Sequence, residues 1–261
     1  MNIFESVLLG LIQGLTEFLP VSSSGHLILF REFLNIPLEG SLAFDVFLNT
    51  ATLLAVIFCF FGELKSILRD LLSNGFSSRN KTLIYALIVG TIPAGLVGFL
   101  YGDVIENALR GSKVVALSLI FGSIVMFAAD RWQRKNGLNV GRGLVVGLFQ
   151  TLALIPGVSR SGISISGGIL SGLSREEAIR FSFLLLIPIS LGALLKVLLD
   201  IGSTDLLTSQ FLNIQLFVAF AAALVSGIWS VKFLIRYLSR HSFTPFIIYR
   251  LLLAGVILIF L

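Results

Sequence analysis

The chain has 261 residues, 56% of them hydrophobic and 13% charged, a formal net charge of +5 and a mean hydropathy of +0.98. A soluble core cannot absorb that much apolar surface, so the composition excludes an ordinary globular domain and makes the bilayer the solvent. The basic residues are spread between apolar runs and are not gathered on one soluble region, which argues for topology and against nucleic acid as their partner.

Residues 2 to 34 open the chain with an apolar helical stretch, a Pro/Ser/Gly break and a second stretch too short to span comfortably. With no basic leader, and with Gln13, Thr16 and Glu17 interrupting the apolar run, this segment is expected to stay in the mature protein. Broken backbone of this kind is tolerated at membrane depth only inside protein or beside a wet cavity, so the segment is read as a re-entrant hairpin. Spanning helices are predicted over 41–62, 82–102 and 112–130, then over 178–200, 213–236 and 245–261. The single Cys59 is read as packing, and Pro93 with Gly90, Gly95 and Gly98 predicts close helix contact and a kink. Between the two groups of spans, residues 140 to 173 repeat the broken pattern.

A shift of 137 positions superimposes the two hairpins without a gap. It matches Gly10, Leu11, Gln13, Leu15, Val21, Ser22, Ser24 and Gly25 with Gly147, Leu148, Gln150, Leu152, Val158, Ser159, Ser161 and Gly162, eight identities in sixteen positions. The same shift carries 41–62 onto 178–199 and 82–102 onto 219–239, so the repeat covers both halves. Each half is then a hairpin followed by three crossings, and an odd number of crossings inverts the second copy. The expected fold is an all-α integral membrane protein of six transmembrane helices plus two re-entrant helical hairpins, a single membrane domain (1–261) with inverted halves 1–135 and 136–261. In such folds binding sites form near the midplane, where the interrupted helices converge.

Lys65, Arg69, Arg79 and Lys81, then Arg131, Arg134, Lys135 and Arg142, then Lys232, Arg236 and Arg240 fall in alternate loops, which are predicted to be cytoplasmic. The other side carries Arg31, Arg110, Lys113 and Lys196, so the first hairpin is expected to open outside and the second inside.

Gln13 and Glu17 share a helical face, and a carboxylate at bilayer depth costs on the order of 2.5 to 3.5 kcal/mol, so Glu17 is expected to face a polar cavity; a helix-end carboxylate near the interface is the plain alternative. Ser22, Ser23, Ser24 and Gly25 then offer hydroxyls and open backbone to phosphate oxygens, and His26 follows them, which brings an acid, a nucleophile and a base into one turn. In the second hairpin Arg160 sits among Ser159, Ser161, Gly162 and Ser164, an anion cradle unless the arginine merely snorkels to the surface. The halves diverge where chemistry needs different groups: Leu154 replaces Glu17, and Arg160 replaces Ser23. Asp45, Asn49 and Thr50 share a face of the first span and either line the cavity or bond neighbouring helices. Arg250 is expected to pair with lipid or a buried carboxylate, and His241 to lie at the surface.

The run Gln13-Gly-Leu-Thr-Glu17-Phe-Leu-Pro-Val-Ser-Ser-Ser-Gly-His26, with Pro156-Gly-Val-Ser-Arg160-Ser-Gly162, resembles the undecaprenyl-diphosphate phosphatase (bacitracin-resistance) family over nearly the whole chain. The resemblance implies removal of the terminal phosphate of undecaprenyl diphosphate, recycling the carrier lipid for cell-wall polymers in the bacterial cytoplasmic membrane. It implies Glu17 as a metal-assisting acid/base, Ser23 as nucleophile, His26 as a proton-transfer or alternative nucleophilic group, and Arg160 as the phosphate clamp. Gln13, Ser22, Ser24, Gly25, Ser159, Ser161, Gly162 and Ser164 are the accompanying substrate-binding candidates. Gln13 stands where Glu is common and Ser164 where Thr is common. A divalent cation, Mg2+ or Ca2+, is implied by the resemblance and by the charge of a diphosphate, with Glu17 as its protein ligand. A homodimer is compatible with such a chain. Serine, His26 and water stay open as the attacking group, and a lipid transporter (flippase) on the same inverted repeat is the rival reading.

Overall fold

In hydrocarbon every backbone N–H and C=O must be satisfied within the segment, so an apolar chain of this kind resolves into helices. The computed structural model describes residues 2–34, 41–72, 77–109, 111–132, 136–201 and 214–260; Arg110, Arg134 and Lys135, used above for orientation, lie outside them. Eleven helices run through the described residues. The first hairpin is α1 (Ile3–Phe18) and α2 (Ser23–Phe33). Then come α3 (Ser41–Cys59), α4 (Phe61–Leu72), α5 (Ser78–Leu109) and α6 (Ser112–Arg131). The second hairpin is α7 (Val140–Leu152) and α8 (Arg160–Leu170), followed by α9 (Arg175–Ile201), α10 (Ile214–Leu238) and α11 (Thr244–Phe260). At 1.5 Å per residue, α2 and α8 are roughly 17 Å long, well short of the ~30 Å hydrocarbon layer.

Local chemistry sets the hairpin ends. Asn2 caps α1, accepting from Glu5 N at 2.8 Å while the Glu5 carboxylate takes the Asn2 N–H, and Asn139 caps α7, accepting from Arg142 N at 2.8 Å. These asparagines stand 137 positions apart, which extends the repeat to the helix starts. Helices α5, α6, α9 and α10 are long and apolar enough to cross a membrane, and much of their large apolar surface is exposed, including Phe99, Phe121, Leu195 and Val225. Apolar exposure on this scale exceeds what a soluble monomer leaves uncovered, and the chain is a multi-pass membrane protein.

The predicted 41–62 span is shorter than expected: α3 stops at Cys59, and α4 leaves it at 75°. Helix α4 has no buried residue, and it carries Glu63, Lys65, Arg69 and Asp70 beside exposed Phe61, Leu68, Leu71 and Leu72. That composition suits an interface and not the hydrocarbon interior. Helix α5 runs unbroken through Pro93. Of its glycines Gly90 makes the close contact, against α7, while a Cβ at Gly95 would meet nothing within 4 Å; the expectation of close packing there is corrected.

Helix α1 packs along α10, and α7 along α5. The 137-residue shift turns the first pair into the second, because it maps α1 onto α7 and α5 onto α10. Both contacts use small residues: Gly10 and Gly14 face Ala219, Ala223 and Gly227, and Gly143 and Gly147 face Ala86 and Gly90. The largest buried cluster gathers Phe18, Leu53, Ile165, Phe181, Phe183 and Leu184. One face of the molecule is tied by charge. Arg180 pairs with Glu63, and Arg175 pairs with Asp130 at 2.8 Å and donates to the His241 carbonyl at 3.2 Å. His241 itself is exposed there, as its basic loop suggested.

Candidate active site

The two breaks are built alike. Ser22 (φ 76°, ψ 97°) and Ser159 (φ 77°, ψ 112°) both hold a positive φ that a side chain rarely adopts. Each caps the helix that follows, Ser22 Oγ accepting from Gly25 N and Ser159 Oγ from Gly162 N, both at 3.3 Å. Each also lies near the hydroxyl two residues on, at 3.4 Å for Ser24 and 3.3 Å for Ser161. Such conformations cost on the order of 1–3 kcal/mol and gather at binding sites. Here they start two helices at one place.

A cavity of about 220 Å³ lies there, and its wall includes Glu17, Ser22, Ser23, Ser24, Ser159 and Arg160. The first turns of α2 and α8 therefore bring two sets of unsatisfied N–H groups and two positive dipole ends to one space. Glu17, only 6% exposed, is the centre of its polar network. Its Oε2 accepts from Ser23 Oγ at 2.6 Å and from Gln13 Nε2 at 2.9 Å, and its Oε1 is ion-paired with Arg160. Gln13 Nε2 also donates to Asn49 Oδ1 at 2.7 Å, and Arg160 donates to Ser190 Oγ at 3.2 Å. Acid, hydroxyl and guanidinium, taken from both hairpins, thus meet directly.

The remaining predicted residues support this wall from behind. Ser161 Oγ donates to the Leu19 carbonyl at 3.1 Å, tying the second break to the first. Ser164 is fully buried, donating to the Arg160 carbonyl at 2.6 Å and lying 2.6 Å from Ser182 Oγ. Gly25 and Gly162 sit under the serine caps, where a Cβ at Gly162 would come 3.2 Å from Pro20 Cβ. His26 lies off the cavity wall. Its Nδ1 is 2.7 Å from the Ser22 carbonyl, which only accepts, so in the neutral ring Nδ1 carries the proton and Nε2 accepts from Tyr249 OH at 2.6 Å. Asn49 and Thr50 line the cavity, whereas Asp45 forms a two-pronged pair with buried Arg31 at 2.5 and 2.9 Å, so the shared face of α3 serves both purposes.

Arg250 does neither of the things expected of it. It is fully buried and, among the described residues, donates to backbone carbonyls, Pro20 O at 3.2 Å, Gly157 O at 3.1 Å and Val158 O at 3.0 Å with Ser118 O and Leu119 O of α6, and to one side chain, Ser123 Oγ at 3.1 Å. Pro20 and Gly157 are equivalent under the 137-residue shift. One guanidinium therefore bridges the same carbonyl of both breaks without itself lining the cavity. Carbonyls gather on Arg250 and N–H groups on the cavity. Tyr249 on His26, Ser182 on Ser164, and Ser190 and Gln150 on the cavity wall are polar residues not singled out as candidates from the sequence. Only Gln150 had a signal there, its match to Gln13.

The fold and site define a polytopic membrane protein with a buried carboxylate–serine–arginine centre. Residues 6–256 match the model of the Bacitracin resistance protein BacA family, and the chain belongs to that family. It is 40% identical to an undecaprenyl-diphosphatase of Elusimicrobium minutum over 99% of this chain and 98% of that one, and 42% identical to one of Alteromonas mediterranea over 100% and 99%. A third undecaprenyl-diphosphatase, from Marinobacter nauticus, is 39% identical over 98% of each.

Proposed function

We propose that this protein hydrolyses undecaprenyl diphosphate to undecaprenyl phosphate and inorganic phosphate, returning the carrier lipid to cell-wall synthesis and conferring bacitracin resistance. The observation that carries the reading is Ser23 Oγ donating to Glu17 Oε2 at 2.6 Å beside Arg160, in a cavity fed by two helix N-termini. The carrier reading gains nothing from the relatives above, all of which are named for the hydrolase.

The diphosphate binds with its terminal phosphate against Arg160 and the first turns of α2 and α8. Phosphate oxygens compete with Glu17 for the guanidinium, freeing the carboxylate to take the Ser23 proton. Ser23 Oγ forms a bond to the terminal phosphorus while the bridging P–O bond breaks, and undecaprenyl phosphate leaves with the electron pair. Glu17 passes that proton to the departing lipid phosphate and then takes one from a water, whose oxygen bonds to phosphorus as the P–Oγ bond breaks; Ser23 takes the proton back and inorganic phosphate leaves. Glu17 and Asn49, both on the cavity wall, would hold a divalent cation. It would neutralise phosphate charge, and one carboxylate with substrate oxygens is a normal Mg2+ donor set. His26 braces the Ser22 carbonyl and so holds the strained cap.

The reading includes the arrangement inferred from sequence: six crossings, two re-entrant hairpins, inverted halves 1–135 and 136–261, and a bacterial cytoplasmic-membrane site open to the outside. The matching caps at Asn2 and Asn139 and at Ser22 and Ser159 support it. The test is phosphate release from undecaprenyl diphosphate by purified protein in detergent. Glu17→Ala and Arg160→Ala are expected to lose about 10²–10⁴-fold in kcat while remaining folded. Denaturing the enzyme during turnover should trap phosphate on Ser23, and undiminished release by Ser23→Ala would remove serine as the nucleophile.

A further inference from the structure

Gln150 is the one cavity-lining amide in the described structure whose side chain, only 2% exposed, has neither its oxygen nor its nitrogen hydrogen-bonded. Its repeat counterpart, Gln13, donates from Nε2 to both Glu17 and Asn49. At the corresponding second-half positions stand Leu154 and Leu186. The amide has been kept while both of its protein partners have become leucine. A buried amide without a partner is destabilising, so packing does not account for a glutamine here.

The cavity wall says what the amide faces. Its charged and most of its polar residues, among them Glu17, Ser23, Asn49 and Arg160, come from α1, α2, α3 and α8, whereas its apolar residues Ala94, Ala153, Leu154, Ile189 and Ala193 come from α5, α9 and the turn after α7, where Ser190 on α9 is the polar exception. Val46 is the exception on the polar side. A polyprenyl diphosphate placed with its terminal phosphate at Ser23 and Arg160 therefore runs its chain along α5, α7 and α9. Gln150, on α7 one turn before Ala153 and Leu154, falls beside the phosphate joined to that chain. We infer that Gln150 binds the phosphate retained on the lipid, donating from Nε2 to one of its non-bridging oxygens, with Oε1 accepting from water around the headgroup. This rests on the diphosphatase reading above and adds a specificity residue to it: Gln150 separates a lipid phosphate from free phosphate.

Gln150→Leu tests it, because leucine keeps the volume and removes the amide. The purified full-length variant should melt at or above the wild-type temperature, since it loses an unsatisfied buried group. Its KM for undecaprenyl diphosphate should rise about tenfold or more with kcat little changed, because the retained phosphate is held alike in ground and transition states. The Kd for undecaprenyl phosphate, measured by calorimetry without turnover, should rise by the same factor, while inhibition by inorganic phosphate stays as in wild type. Gln150→Glu should weaken lipid-phosphate binding further by like-charge repulsion, and it serves if the leucine variant does not fold. An unchanged Kd for undecaprenyl phosphate, or a lowered melting temperature with inorganic phosphate weakened equally, would overturn the assignment. Wild-type protein that binds undecaprenyl phosphate through Gln150 yet releases no phosphate from the diphosphate would sink the functional reading alone.

Discussion

Arg250 shows how one side chain can hold a site it never touches. The carbonyls of Pro20, Gly157 and Val158 sit in the two breaks, outside any helix ladder, and the guanidinium supplies their donors in buried surroundings. Leaving a buried polar group unmade costs about 1–3 kcal/mol, so Arg250→Met strands three groups and should unfold or severely destabilise the protein. Arg250→Lys is the sharper variant. A lysine keeps the charge but has three donors on one point in place of a planar fork, and it cannot reach both breaks at once. Thermal melting in detergent should show a folded but weakened protein. The kcat should fall about tenfold or more, because small displacements of Ser23 from Glu17 are costly, while KM moves less. Equal activity in Arg250→Lys would mean that the breaks hold their own geometry.

At the scale of elements, the repeat is carried by small residues at helix crossings. A Cβ at Gly147 would lie 2.7 Å from Gly90 Cα, and backbone cannot swing aside as a side chain can. Gly147→Val should therefore force α7 off α5 and cost about 1–3 kcal/mol, seen as a lower melting temperature. Gly95→Ala on the same helix α5 meets nothing within 4 Å and removes a poor helix former, so it should leave melting unchanged or raise it slightly. The sequence presents Gly90 and Gly95 as parts of one small-residue stretch. Which of them touches a neighbour depends on the face α5 turns to α7, and a wholly apolar helix in lipid has too little periodic contrast to reveal that face. The end of α3 was hidden for a related reason: hydropathy runs on past Cys59, while the 75° turn into α4 is a matter of backbone direction.

Across the whole molecule, the features written locally were legible and those made by distant contacts were not. Glu17, Ser23 and Arg160 stood out because each breaks an apolar or repeated pattern, and the structure joins them although Arg160 and Glu17 are 143 residues apart. Tyr249 on His26 and Ser190 on Arg160 left no such mark, since a tyrosine or serine in a span is ordinary until its partner is known. The repeat also makes a claim about sidedness. If an odd number of crossings separates the copies, as proposed, the opening of the first hairpin and the basic residues of α4, α6 and α10 lie on opposite sides of the membrane. Replacing Cys59 by serine gives a background for single cysteines, Ser24→Cys at the cavity and Ser78→Cys at the start of α5, both at exposed positions. An impermeant maleimide applied to intact spheroplasts should label Ser24→Cys and spare Ser78→Cys, and inverted vesicles should give the reverse. Added undecaprenyl phosphate should slow labelling at Ser24→Cys and leave Ser78→Cys alone, because Ser24 belongs to the cavity wall. Labelling of Ser24→Cys from the cytoplasmic side alone would reverse the orientation, and labelling of both positions from one side would refute the α3 crossing on which the odd count, and so the inversion, depends.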